Sequence, residues 1–312
     1  MLSCTWMLKM ISFHHTLHDL RLIILSDTTS LTDIIPFDDE RASYLHYPYS
    51  LSLKHFVVYL IAPTLCFQFN YPRRKDRDWQ KIGKAALQLA FSLILLKIIY
   101  EQYVTKVLEN TFTLRYGGED GMKMVLHMVE RLMKLSIPTL YCWLLMFLSF
   151  FHYWMMFLAE ITRFEDQQFY REWWNATSLE EYWRRWNLPV HHFCIRHVYI
   201  PLISHGWSRT VANQTVFLLS ALAHEYIVAG SLKLGWTGLV FLAFVMQTPL
   251  SILTSSKYIQ ARPKLGNSIF WIVFCFTGQP MGVLIFYYLW NVKAGLLQPI
   301  DTTQVFKPAP PF

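Results

Sequence analysis

Charge is scarce in this chain. Of its 312 residues only 16% are Asp, Glu, Lys or Arg, whereas 54% are hydrophobic and 17% aromatic. A soluble domain ordinarily carries about 25% charged residues, so the composition excludes an ordinary soluble fold and points to lipid. Paired cysteine is lacking as well. Cys4, Cys66, Cys142, Cys194 and Cys275 are odd in number and far apart, with no CxxC. That spacing excludes a disulfide framework and a structural zinc site. His14, His15, His18 and Asp19 lie close together but lack further ligands at matching spacing, and no metal site is expected. There is no basic arm either. The net charge of +7 is spread over short connections between apolar stretches, which argues against nucleic acid and for loops facing anionic lipid. The first 13 residues lack the charged start and small-residue cleavage site of a signal peptide. Targeting then falls to an internal membrane helix.

What the chain has in quantity is long apolar runs. Five reach the roughly 20 residues needed to cross a bilayer: Ile82–Tyr103, Leu135–Ala159, Thr210–Leu232, Gly235–Thr254 and Ser268–Trp290. Phe56–Phe69 is shorter and holds Pro63, so it reads as interfacial or re-entrant. Basic residues precede the first span and fill the connections after the second and fourth. Five alternating spans put all three clusters on one side, as the positive-inside rule asks, and the C-terminus on the lumenal side. An all-α polytopic bundle with added interfacial helices is the expected architecture.

Two features stand out against this background. His224 and Glu225 sit in the middle of an apolar run, where each ionisable group costs on the order of 2 to 3 kcal/mol. They are either a pair hydrogen-bonded inside the bundle, a relay in a proton-coupled transporter, or a proton-transfer site for chemistry. The connection from Glu160 to Ser208 is rich in Trp, Tyr and Arg, a mixture suited to the headgroup layer. Within it, Ser178 with Glu181 three residues on reads as a capping box opening a helix.

Particular words in that text narrow the choice. Phe169-Tyr170-Arg-Glu-Trp173-Trp174-Asn175 resembles the FYxDWWN signature of the membrane-bound O-acyltransferase superfamily, with Glu172 in the usual Asp position. His224-Glu225-Tyr226 is similar to its HEY segment in the diacylglycerol and sterol acyltransferase branch. Ala62-Pro-Thr-Leu-Cys66, Asn70-Tyr-Pro-Arg73, Asn187-Leu-Pro-Val-His191, Cys194-Ile-Arg-His197 and Gly278-Gln-Pro280 resemble the diacylglycerol enzymes more closely than the sterol ones. On this reading residues 46–300 form the catalytic domain and 301–312 a tail. Residues 1–45 do not look like the family's N-terminal helices, so a shortened or incomplete member is expected. The family's missing helices contribute tunnel wall and oligomer contacts, which leaves an inactive paralogue as one alternative.

The resemblance implies an acyl transfer from acyl-CoA to the hydroxyl of diacylglycerol, with a sterol or fatty alcohol as the alternative acceptor. It implies a multi-pass protein of the endoplasmic reticulum membrane, a homo-oligomer, and no cofactor beyond acyl-CoA as co-substrate. Such chemistry needs a base, oxyanion donors and exclusion of water. His224 fits the base. The neutral amides of Asn187 and Gln279 fit the donors, and Gln279 falls where Pro280 is expected to interrupt a membrane helix. Trp186, His191, Ser220, Glu225 and Gln247 are candidates to line the substrate pocket. Ser220 lies one helical turn before His224, on the same face, whereas Glu225 points about 100° away and reads as an anchor. Arg196 and Arg209 are candidates for the phosphates of coenzyme A, and His152 and His197 read as structural.

Overall fold

The computed structural model describes residues 2–26, 52–68, 71–112 and 121–297. The tail 301–312 and Asn70 fall outside the described residues. Within them the chain is helical throughout. The one extended pairing is an isolated antiparallel bridge between Arg73 and Phe164.

Among the described residues three helices are long and apolar enough to cross a membrane: Trp79–Thr111 (α3), Val125–Thr162 (α4) and Pro263–Lys293 (α12). They correspond to the first, second and fifth expected spans. Asp78 starts α3 by accepting the Lys81 amide at 3.1 Å, as a short carboxylate does at an N-cap. Two small residues let α3 approach α4, with Ser92 Oγ 2.8 Å from Ser149 Oγ and both side chains buried. Small polar contacts of this kind hold helices together where lipid removes the hydrophobic drive. Val104, Leu108, Leu135 and Leu284 form the apolar seam joining α3, α4 and α12.

The remaining two expected spans fold differently. The third is a continuous helix, Arg209–Ser231 (α8), capped by Ser208 Oγ on the Val211 amide. The fourth is not one helix. It is split into Leu239–Val245 (α9) and Gln247–Thr254 (α10), starting after Gly238 at a φ of 73°. Pro249 explains the split, because its ring would collide with the carbonyl four residues back, at Val245.

Short helices fill the rest. Leu53–Ile61 (α2) stops well short of a span, as Pro63 foretells. Leu179–Arg185 (α5) and Leu188–Cys194 (α6) lie in the connection after α4. A π-helical segment Ile195–Tyr199 follows, then Ile200–Ser204 (α7). Lys257–Gln260 (α11) precedes α12. Residues Leu2–Ser26, which the sequence set apart, form a helix (α1) docked across α2. Lys9 Nζ donates to the carbonyls of Tyr59, Leu60 and Ala62 at 2.7, 3.0 and 2.7 Å, and so closes the C-terminus of α2. A cation is well placed at those orphan carbonyls. The Tyr59 hydroxyl answers by donating to the Lys9 carbonyl at 2.8 Å.

Further π-helical segments occur inside the membrane helices, at Tyr100–Val104, Leu148–Trp154 and Val273–Gly278. The last corrects one expectation. Pro280 does not break α12; the helix widens over Val273–Gly278 and continues from Gln279. A wide turn accommodates the absent proline N–H without ending the helix, and such turns gather at functional sites.

Candidate active site

The FYREWWN segment is a splint. The Arg171 amide donates to the Arg185 carbonyl at 2.7 Å, and the Leu188 amide donates to the Phe169 carbonyl at 2.9 Å. These two bonds grip the chain on either side of Trp186-Asn187. The splint is pinned from below by Trp173, whose side chain is wholly buried against Trp143 and Phe147 at ring separations of 4.9 and 5.1 Å. Phe169 is buried beside it in a second cluster with Tyr71 and Phe164, and the Tyr170 hydroxyl meets His152 Nδ1 at 3.0 Å. Trp174 is exposed, but its carbonyl accepts Asn267 Nδ2 at 2.8 Å and Trp271 Nε1 at 3.2 Å, which ties the splint to α12. Asn175 donates to Glu172 at 3.2 Å. Gly266 lets the two segments touch, since a Cβ there would run into the Thr177 carbonyl oxygen. The capping box is present in altered form. Ser178 Oγ accepts the Glu181 amide at 3.2 Å, and the Glu181 carboxylate reaches back to the amide and hydroxyl of Thr177.

Asn187 emerges from this splint as the N-cap of α6. Its Oδ1 accepts the Val190 amide at 3.2 Å. With the oxygen committed to the helix, the NH2 end is the part left to donate outward. Trp186 packs on Trp183 at 5.9 Å and on Phe151 at 5.0 Å.

His224 lies on α8, partly buried in an aromatic wall. Phe244 is 4.5 Å from its ring and Trp183 is 6.4 Å away. Nδ1 lies 2.7 Å from the Ser220 carbonyl, which can only accept. Nδ1 therefore carries the hydrogen, and Nε2 of the neutral ring keeps its lone pair. Ser220 Oγ stands 3.4 Å from the same Nδ1. Gln247 enters indirectly, as its Oε1 accepts Trp183 Nε1 at 3.1 Å and fixes the indole against the imidazole.

Glu225 turns away from this group and does not line it. One carboxylate oxygen accepts the Thr237 amide, the Thr237 hydroxyl and the Gly238 amide at 2.7 to 2.8 Å. The other accepts the amides of Val240 and Phe241 at 2.8 and 3.2 Å. A buried carboxylate at the start of α9 meets both the orphan N–H groups and the positive end of the helix. Its work is to lock α9 to α8, and hence Phe244 to His224.

The structure thus gathers Ser220, Trp183 and Phe244 around His224, and Gln247 and Trp186 contact Trp183 in turn. It does not bring every expected residue to that ring. Gln279 begins the α-helical part of α12 after the wide turn. His191 is half-buried on α6, where burial, then His192, Arg184 and Arg171, hold its imidazole below the usual range. His197 meets Ser12 and His15, and His152 meets Tyr170, in structural roles. Trp183, Phe244, Gly266 and Asn267 were missed from the sequence. The nearness of Trp183 to Trp186 in one short helix was the available signal for the first; the others look like ordinary helix residues.

The His224 imidazole thus sits in an aromatic wall, and the splint holds the segment that carries Asn187. Among known proteins, the model of MBOAT, the membrane-bound O-acyltransferase family, matches residues 4–290, and the chain belongs to that family. It is 36% identical over 294 residues to a protein of Glycine max named diacylglycerol O-acyltransferase 1C, covering 92% of this chain and 53% of that one. It is 40% identical over 292 residues to diacylglycerol O-acyltransferase 1-2 of Oryza sativa subsp. japonica, covering 92% and 57%. Against diacylglycerol O-acyltransferase 1 of Dictyostelium discoideum it is 39% identical over 245 residues, covering 77% and 38%. The chain spans about half the length of the curated relatives it matches.

Proposed function

We propose that this protein transfers a fatty acyl group from acyl-CoA to the free hydroxyl of diacylglycerol, making triacylglycerol in the endoplasmic reticulum membrane. The observation that carries the reading is the 2.7 Å approach of His224 Nδ1 to the Ser220 carbonyl. With Nδ1 held by the Ser220 carbonyl, Nε2 is free to take the acceptor's hydroxyl proton as the oxygen attacks the thioester carbon. The tetrahedral oxyanion that forms needs donors, and the NH2 groups of Asn187 and Gln279 are offered for this role. Collapse expels the coenzyme A thiolate, which takes its proton back from the imidazolium. The aromatic wall of Trp183, Phe244 and Trp186 keeps water from competing for the thioester. No cofactor is required by this scheme.

The names of the relatives support diacylglycerol as acceptor. The relay reading draws no support from Glu225, whose oxygens are filled by backbone and hydroxyl donors. The broad apolar faces that α3 and α4 leave exposed, among them Phe91, Ile94, Met133 and Ile137, suit contact with lipid.

The test is turnover by His224→Ala and His224→Gln. Loss of a general base costs typically 100- to 10,000-fold, and glutamine cannot rescue because an amide does not accept the proton at neutral pH. Both variants are expected to insert and to keep binding acyl-CoA, since the base acts on the acceptor hydroxyl. Normal ester formation by either variant would make His224 a packing residue and end the proposal.

A further inference from the structure

A cavity of about 390 Å³ lies between the loop after α2, the residues following α4, and α6 with the π-helical segment beyond it. Thr64, Gln68, His192 and Arg196 supply its polar lining, and Phe164 and Ile195 are among its apolar walls. Arg196 is the notable group. It is half-buried, and its Nη1 donates to the Phe67 carbonyl at 3.0 Å. Among the described residues no carboxylate lies within ion-pair distance of it. A guanidinium has five N–H donors in a fixed fork suited to phosphate. Held at its place by a neutral carbonyl, this one keeps its full charge for something else.

Neighbouring groups of the lining define that something. The Gln68 side-chain amide and the His192 imidazole add donors to the lining, and the Thr64 hydroxyl, which donates to the Cys66 carbonyl at 3.4 Å, adds an acceptor. The volume exceeds what a bare anion fills, and the apolar walls suit an organic body. Asp166 stands exposed at the rim with Oδ1 accepting the Gln168 amide at 3.2 Å. A rim carboxylate repels a second anionic group but accepts a hydroxyl. We propose that this cavity binds an organic phosphate bearing at least one hydroxyl, at a site separate from the acyl-transfer centre.

The two places draw on different residues of one stretch. Asn187 caps α6 from the splint, whereas Pro189, His192 and, in the π-helical segment beyond, Arg196 line the cavity. No residue packed against His224 lines the cavity. The ligand can come from two sources that share this chemistry, a soluble phosphate ester or the headgroup of an anionic lysophospholipid.

The test uses the full chain in phosphatidylcholine nanodiscs. One arm titrates radiolabelled glycerol 3-phosphate. A second uses labelled 1-oleoyl-lysophosphatidic acid delivered into the same discs. Saturable binding is expected in at least one arm, and the arm that binds identifies the source. Arg196→Gln and Gln68→Glu should each weaken it by about tenfold or more, the effect of losing or opposing one charged hydrogen bond. His224→Ala should leave it unchanged. If Arg196→Gln fails to insert, Gln68→Glu decides alone, because it alters an exposed side chain. Absence of saturable binding in both arms overturns the proposal, as does binding indifferent to Gln68→Glu. Full displacement by adenosine 3′,5′-bisphosphate and by oleoyl-CoA alike would assign the cavity to the acyl donor and overturn its independence.

Discussion

The side chains around His224 divide by what each holds. Ser220 holds the imidazole through its carbonyl, Gln247 holds Trp183, and Glu225 holds the start of α9. Asn187 differs from these, because its oxygen is spent on the α6 cap while its NH2 is not. If it donates to the oxyanion, Asn187→Ala should lower turnover by roughly 10- to 1000-fold, the range for removing one such donor, and Gln279→Ala likewise. Steady-state rates at saturating acyl-CoA measure this. Unchanged rates in both variants would remove the amides from the chemistry. Asn187→Asp is a useful companion, since a carboxylate still caps α6 but no longer donates. It should fold as well as the parent and turn over as poorly as Asn187→Ala. The sequence pointed to His224 because an ionisable pair in an apolar run is expensive. It could not show Glu225's partners, since the amides that fill the carboxylate come from residues 237–241, beyond a turn that no local pattern specifies.

At the scale of elements, the splint and α12 meet where Gly266 leaves room for the Thr177 carbonyl. In a helix interior Gly→Ala normally stabilises by roughly 0.5 to 1 kcal/mol. At Gly266 the sign reverses, because the added methyl meets backbone, and overpacking of this kind costs about 1 to 3 kcal/mol. Gly282, on the same helix with nothing within 4 Å of a built Cβ, is the control. Gly266→Ala should lower the thermal midpoint and turnover together, and Gly282→Ala should lower neither. Equal behaviour of the two would show that the contact is not structural.

A second element-scale test concerns the docking of α1. His197 accepts or donates 2.7 Å from Ser12 Oγ and lies 2.8 Å from His15 Nδ1. Burial, then Arg196 and His15, push its imidazole down to about 4, with Asp19 opposing. The folded value lies below the unfolded value of about 6.5. Between the two the unfolded chain binds more protons, so this contribution is whole above pH 6.5 and drains away as pH falls toward 4. The thermal midpoint should therefore drop over that window, and less so in His197→Gln. An identical drop in the variant would place the acid sensitivity elsewhere. Helix α1 was hard to read from sequence because apolar and polar residues alternate around it without a clean stripe, and its buried Lys9 looks like a surface residue until α2 presents its carbonyls. The three long spans were legible by length and hydropathy alone. The broken fourth was not, although Pro249 marked the place, because an apolar run of 20 residues outweighed one proline.

As a whole molecule, the chain is an α-helical membrane protein in which the connection after α4, not a span, holds the segment that carries Asn187. The aromatic connection after α4 would serve as simple interfacial anchoring if composition were the only guide. The structure gives it a second duty, since its backbone grips Trp186-Asn187 and its carbonyls accept from α12. Fold and family leave the acceptor to be measured. The direct measurement offers membranes containing this chain labelled oleoyl-CoA together with diacylglycerol, sterol and a long-chain alcohol in competition, beside membranes containing His224→Gln. Label should enter triacylglycerol in preference to the other esters, and the variant should form none above background. Label entering sterol or wax ester instead, or triacylglycerol formed equally by the variant, would contradict the account.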